Sequence, residues 1–316
     1  MQTTSSIGVI GLGIMGGMMA ETLRAHGHDV TGYDPAAAAR KRLAKCGGRP
    51  LASAAAVAQS ADIIIVSLAS SAALNAVSQE LASTRHAGKT GSKAGQARRI
   101  VIETSTLPMA DKETLATLLQ PAGFTVLDCP ISGTAARMKD RTWTIFLSGE
   151  RAACKRVEPV LKAFTDNLPY VGAFGNGTKF KFSANHLVAI YNVAYAESVT
   201  LARKMGLDPR EMLKLFGPSE VLGTGVMRLR MPFMVERNYT PPTMKVEVWQ
   251  KDMQVIGDMA KSVNCPTPLF SACVPIYNAA MAQGLALEDT ASTAEVLGAM
   301  AGIAPVKKRL TASRAR

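Results

Sequence analysis

Three glycines in the pattern Gly11-Leu12-Gly13-Ile14-Met15-Gly16 follow a short apolar run from Ile7 and open a segment with helical spacing. Each has a physical reason to be there. Gly11 permits a tight strand-to-helix turn, Gly13 lets a phosphate approach the backbone, and Gly16 lets the helix lie close to the strand. The free N–H groups and positive end of such a helix attract anions, so the loop reads as the pyrophosphate cradle of a bound dinucleotide. Asp34 closes the next apolar run, 18 residues after Gly16. A carboxylate there accepts hydrogen bonds from the adenosine ribose and repels a 2′-phosphate, which predicts NAD. Arg40 and Lys41 lie nearby and leave NADP admissible.

These residues need a sheet to hold them. The patterning predicts strands over 7–11, 30–33, 61–68, 100–103 and 125–129, with helices over 15–25 and 36–46. Alternation of this kind predicts a parallel sheet with helices on both faces. After Gly177 the character changes. Residues 179–205 contain neither proline nor glycine and are patterned as one helix, and only helical patterns follow as far as Ile303. The predicted architecture is α/β then all-α. A doubly wound Rossmann domain over 1–174 is followed by a helical substrate and oligomerisation domain over 175–306 and a basic tail over 307–316. The long interdomain helix is rich in Ala and Val and predicts burial against a neighbour, hence a homodimer or homotetramer.

Composition removes several function classes. The chain has 316 residues, 47% of them hydrophobic, without eighteen consecutive uncharged apolar residues, so a membrane span is not expected. No basic stretch precedes the first apolar run, and the expected location is the cytoplasm. The five cysteines are scattered without CxxC spacing, which predicts free thiols and no metal site. The net charge of +12 is concentrated in residues 84–99 and 307–316, which hold ten of the excess charges and no acid. A solvated loop and tail explain this better than a nucleic-acid groove does. Met227, Met231 and Met234 form a helically spaced stripe that reads as core.

Three further motifs occur in the order of one family. Asp128-Cys129-Pro130-Ile131-Ser132-Gly133 resembles the D-x-P-V-S-G-G substrate loop of the β-hydroxyacid dehydrogenases. Residues 175–185, from Gly175 through Gly177 and Lys181 to Asn185, are similar to their G-x-G-x-x-x-K-x-x-N-N helix, and Lys251-Asp252 to their later K-D pair. The resemblance spans residues 7–300. It implies hydride transfer between NAD(P) and a small 3-hydroxy acid, or reduction of the corresponding semialdehyde. By position it makes Lys181 the general acid/base and Asn185 a substrate-orienting group. Ser132 and the backbone N–H groups of Gly133 and Thr134 would hold the carboxylate. Leu68, Ala69, Thr106 and Lys251 would border the cofactor. The assignment is chemically coherent, since oxidation of an alcohol needs a base for the hydroxyl proton and a lysine of lowered pKa can serve.

The chain also departs from the family pattern. Thr134 replaces the second glycine of the substrate loop, Arg137, Met138 and Arg141 replace later small residues, and Ala184 replaces the first asparagine. These changes reshape the substrate pocket, and Arg137 could meet a second acidic group. Two alternatives compete: an imine reductase-like enzyme, which typically lacks the lysine, and a non-catalytic dinucleotide-binding module acting through its basic segments. Ser132, Lys181 and Asn185 together disfavour both.

Overall fold

The computed structural model describes residues 6–84, 99–134, 138 and 140–305. The chain divides into two compact units, Met1–Phe182 and Ser183–Arg316.

In the first unit, strands β1 (Ser6–Ile10), β2 (Asp29–Tyr33), β3 (Arg49–Pro50), β4 (Ile63–Val66), β5 (Arg99–Glu103) and β6 (Phe124–Asp128) form one sheet. Its order is β3-β2-β1-β4-β5-β6, parallel throughout. Helices α1 (Ile14–Ala25), α2 (Ala37–Lys45), α3 (Ala54–Ser60), α4 (Ser71–Ser83), α5 (Met109–Leu119) and α6 (Arg151–Leu161) cover it. Alternate strand residues enter two separate cores. Ile7, Val9, Ile63 and Ile65 pack with Met19 and Leu23 of α1, whereas Ile10, Ile64 and Val66 pack with Val57, Leu74 and Leu115. A strand buried on both faces has no polar alternate, hence the run Ile63-Ile64-Ile65-Val66. The doubly wound sheet is as expected, with strand ends shifted by one or two residues. Strand β3, helices α3 to α6, and the antiparallel pair β7 (Ile131–Ser132) and β8 (Thr144–Ile145) go beyond the elements expected from the sequence; the three strands among them are two residues long each.

One expectation is corrected here. Arg99, counted with the solvated basic segment 84–99, is buried: its guanidinium donates to Ala58 O (2.8 Å) and Thr84 O (3.1 Å) and lies 4.0 Å from the Phe124 ring centroid. It closes one end of the sheet, where carbonyls left by α3 and α4 need donors. The other charges of that segment, and all those of the tail, lie outside the described residues.

Helix α7 (Asn176–Lys204) begins in the first unit, and most of its length belongs to the second. The second unit continues with α8 (Pro209–Phe216), α9 (Gly225–Glu236), α10 (Val246–Ser262), α11 (Pro268–Ala282) and α12 (Thr293–Met300). Pro209 and Pro268 stand at helix starts, where a missing N–H costs nothing. Met227, Met231 and Met234 are core, packed with Ala196 and Val199. No helix among the described residues is long and apolar enough to cross a membrane.

Candidate active site

The sheet order reverses between β1 and β4, so the connections leaving their carboxyl ends diverge and open a crevice there. The glycine loop follows β1. Gly11 has φ +86°, and a Cβ on it would strike Ser67 O and Leu68 of the loop after β4; one on Gly16 would strike Gly11 O. Gly13 is the N-cap of α1. No side chain caps this helix, its first turn holds no acid, and the space where a Gly13 side chain would stand is open. The residues present therefore fit a dinucleotide: uncovered helix N–H groups, room for close approach, and no competing carboxylate. Ile14 stands 76% exposed beside them, and Met15 packs partly buried against the core.

Asp34 has an additional task. Its Oδ2 accepts the Leu12 N–H and its Oδ1 the Ala36 N–H, both at 2.8 Å. The carboxylate thus braces the glycine loop and the turn after β2, and each oxygen keeps a second lone pair. Arg40 donates to Asp34 O (2.5 Å) and Pro35 O (2.9 Å), and Arg42 to Leu12 O (3.1 Å).

The loops after β4 and β5 are joined by the Leu68 N–H, which donates to Ser105 Oγ at 2.8 Å. Ala69 is exposed, and Thr106, next to Ser105, is half-buried. Ser132 follows the end of β6 at Asp128 by four residues. It belongs to β7, paired with Thr144 of β8, because the chain leaves β6 at Asp128 and turns through Pro130 into this small ladder. Gly133 has φ +152°, and a Cβ on it would collide with the Trp143 indole. The fully buried Trp143 also donates its Nε1–H to Thr134 O at 2.8 Å. Thr134 Oγ1 is buried without a hydrogen-bond partner among the described residues. Trp143 was missed in the sequence, where a lone tryptophan reads as core. Arg137 lies outside the described residues.

On α7, Lys181 is 8% exposed, while Lys179 faces solvent. In the second unit, Asn185 is buried and its Nδ2 donates to Asp252 Oδ2 at 2.8 Å. Lys251 Nζ donates to Asp252 Oδ1 at 2.8 Å, with its side chain 34% exposed. One buried carboxylate therefore sets the orientation of the Asn185 amide and holds the Lys251 ammonium. Asp252 was visible in the sequence only as the partner of Lys251.

Two family models cover most of the chain. The one described as the NAD binding domain of 6-phosphogluconate dehydrogenase matches residues 6–172. The one described as the NAD-binding of NADP-dependent 3-hydroxyisobutyrate dehydrogenase matches residues 175–297. The chain belongs to the β-hydroxyacid dehydrogenase family. Within that family it is similar to the L-threonate dehydrogenase of Cupriavidus necator, 29% identical over 292 residues, 92% of this chain and 95% of the relative. It is also similar to glyoxylate/succinic semialdehyde reductase 2 of Arabidopsis thaliana, 27% identical over 297 residues, 94% of this chain and 80% of that one. Among solved structures, the 3-hydroxyisobutyrate dehydrogenase from Salmonella typhimurium matches with a TM-score of 0.78 and 26% identity, covering 92% of this chain and 99% of the other. As a β-hydroxyacid dehydrogenase the chain is an NAD(P)-dependent oxidoreductase.

Proposed function

We propose that the chain interconverts a small 3-hydroxy acid and the corresponding semialdehyde or oxo acid, with NAD preferred and NADP accepted. The nicotinamide, when bound, supplies or accepts the hydride. Gly11 to Gly16 and the start of α1 hold the pyrophosphate, Asp34 receives the adenosine ribose, and Leu68, Ala69, Thr106 and Lys251 border the cofactor. Asp34 and the absence of a basic residue at positions 35 and 36 support the NAD preference. Ser132 and the N–H groups of Gly133 and Thr134 hold the substrate carboxylate. The Thr134 hydroxyl, unpartnered among the described residues, supports a polar ligand at that loop, since a buried hydroxyl is costly until it is paired.

Lys181 is the general acid/base: as a free amine it takes the hydroxyl proton during oxidation, and as an ammonium it returns one during reduction. Asn185, one turn later on α7, orients the same hydroxyl. The observation that carries this reading is the burial of the Lys181 side chain beside exposed Lys179. Burial is one of the forces that bring a lysine toward the pKa a proton shuttle needs. The Rossmann unit 1–174, the helical unit 175–306 and the tail 307–316 are the proposed division of labour. A homodimer or homotetramer is proposed as well, supported by the exposed apolar side chains Leu187, Leu201 and Met205 of the long helix and its end. Cytoplasmic location is supported by five unpaired cysteines.

The test is NAD(P)H absorbance with a panel of 3-hydroxyisobutyrate, L-threonate, glyoxylate and succinic semialdehyde, wild type against Lys181→Ala. Turnover of at least one compound, reduced about 10²–10⁴-fold by the substitution, is expected. Turnover of none, or a Lys181→Ala enzyme within about tenfold of wild type, overturns the reading.

A further inference from the structure

The most deeply buried charges of the first unit lie outside the residues assigned above. Lys112, Glu103 and Asp128 are each 0% exposed. Lys112 Nζ stands 2.6 Å from Glu103 Oε2 and 2.9 Å from Asp128 Oδ1, and donates to Thr178 Oγ1 at 2.8 Å. Thr178 in turn donates its hydroxyl to Asp128 Oδ1 and its backbone N–H to Asp128 Oδ2, both at 2.7 Å. Ser148 Oγ donates to Asp128 O (2.7 Å) and accepts the Gly177 N–H (3.0 Å). Burial works against the Lys112 ammonium, but the two carboxylates outweigh it and raise its pKa above the ordinary lysine value.

One cation against two carboxylates leaves a surplus negative charge closed off from water. Gly177 and Thr178 belong to the first turn of α7, so the positive end of a 29-residue helix faces that surplus. The members also come from the elements that border the crevice. Glu103 and Asp128 are the last residues of β5 and β6, and Lys112 lies in the first turn of α5. Glu103 Oε1 accepts the Ser105 N–H at 2.9 Å, and Ser105 holds Leu68. A buried ionic cluster of this kind is weak evidence for stability, because an apolar filling of equal volume often does as well or better. It does confine geometry, because each added partner must be met at a fixed distance and angle.

We propose that Glu103, Lys112, Asp128 and Thr178 form a positioning network for Lys181, fixing the first turn of α7 against the ends of β5 and β6 so that the lysine, three residues beyond Thr178, stands where the proton is exchanged. The inference rests on the reading of Lys181 as the acid/base.

The test compares Thr178→Val, which removes the bridging hydroxyl at nearly constant volume, with Thr178→Ser, which keeps it, using the most active compound of the panel. Thr178→Val should lower kcat about 10- to 100-fold, since a misplacement of about 1 Å can cost on the order of 10²-fold. KM for the panel compound and Kd for NADH should stay within about threefold, and Thr178→Ser should recover most of the loss. A Thr178→Val enzyme with a lowered Tm but a kcat within about threefold of wild type would reduce the network to a structural role and overturn the inference. So would a serine variant that fails to rescue. If Thr178→Val does not fold, Ser148→Ala, which keeps the Lys112 ion pairs and removes the hydroxyl that joins Asp128 to the Gly177 N–H, should lower kcat several-fold; an unchanged kcat overturns. Lys181→Ala is measured alongside. If it is inactive while Thr178→Val is not impaired, the inference alone fails; if it keeps its activity, the acid/base reading fails and takes the inference with it. Should no panel compound turn over, the acid/base reading fails and takes the inference with it.

Discussion

Both carboxylate oxygens of Asp34 hold backbone N–H groups, those of Leu12 and Ala36, so the residue expected to receive the ribose also shapes the loop proposed to receive the phosphates. Asp34→Ala removes two charge-assisted hydrogen bonds, each worth about 1.5–3 kcal/mol. NADH Kd, read by fluorescence titration, should rise at least tenfold, and the preference for NADH over NADPH should shrink; an unchanged Kd would contradict the assignment. The thiols divide by the same logic of environment. Burial raises the Cys154 thiol, with Glu158 and Glu150 adding to it, to about 11, and burial with Glu197 raises Cys273 to about 11. Cys129 is raised well above the ordinary range, chiefly by burial. Cys265 is exposed. In the native protein at pH 8 an aromatic disulfide reagent should modify Cys265 first and reach Cys129, Cys154 and Cys273 only on unfolding.

At the scale of elements, the β7–β8 ladder carries the loop proposed to hold the substrate carboxylate, and the Trp143 indole packs against it. Gly133 combines a φ of +152° with an indole where a side chain would go, so two independent constraints exclude any larger residue. Gly133→Ala should destabilise the protein by about 1–3 kcal/mol through strain and overpacking. It should also lower kcat/KM for the hydroxy acid by at least about tenfold while leaving NADH binding unchanged, because the cofactor loops lie on other elements. Loss of NADH affinity in equal measure would show that the loop is not confined to substrate handling. Steady-state kinetics with a parallel cofactor titration separates the two outcomes.

At the scale of the whole molecule, stability depends on pH through the half-buried Arg237–Glu295 ion pair. In the second unit, burial works against the Glu295 carboxylate, yet Arg237 (2.9 and 2.5 Å) and the Tyr239 hydroxyl (2.7 Å) outweigh it and lower its pKa below the ordinary value of 4.5. A carboxylate whose folded pKa is depressed contributes stability above its unfolded pKa and loses it as pH falls through the folded one. Glu295→Gln should therefore cost about 1.5–3 kcal/mol at neutral pH, and its deficit should shrink as pH drops below 4.5. Urea melts of both proteins at pH 7 and pH 4 measure the difference; a deficit independent of pH would assign the loss to packing.

The alternation of apolar runs with helical segments, the spacing of Gly11, Gly13 and Gly16, and the proline- and glycine-free stretch after Gly177 are local properties, and they determined the five longer strands, the doubly wound sheet, the glycine turn into α1 and the long helix α7. Lys181 and Asn185 lie on one helix a single turn apart, as their spacing predicts. Tertiary structure alone decided what each polar residue answers to. Lys112, in Met-Ala-Asp-Lys-Glu, has the look of a surface residue and is fully buried, because its partners Glu103, Asp128 and Thr178 come from distant parts of the chain. Arg99 belonged by sequence to a solvated basic run and instead closes the sheet. Periodicity reports which face of an element is buried, but the pairing of buried charges depends on contacts between elements far apart in sequence. The network beneath α7 could therefore be read only once the strands had brought its members together.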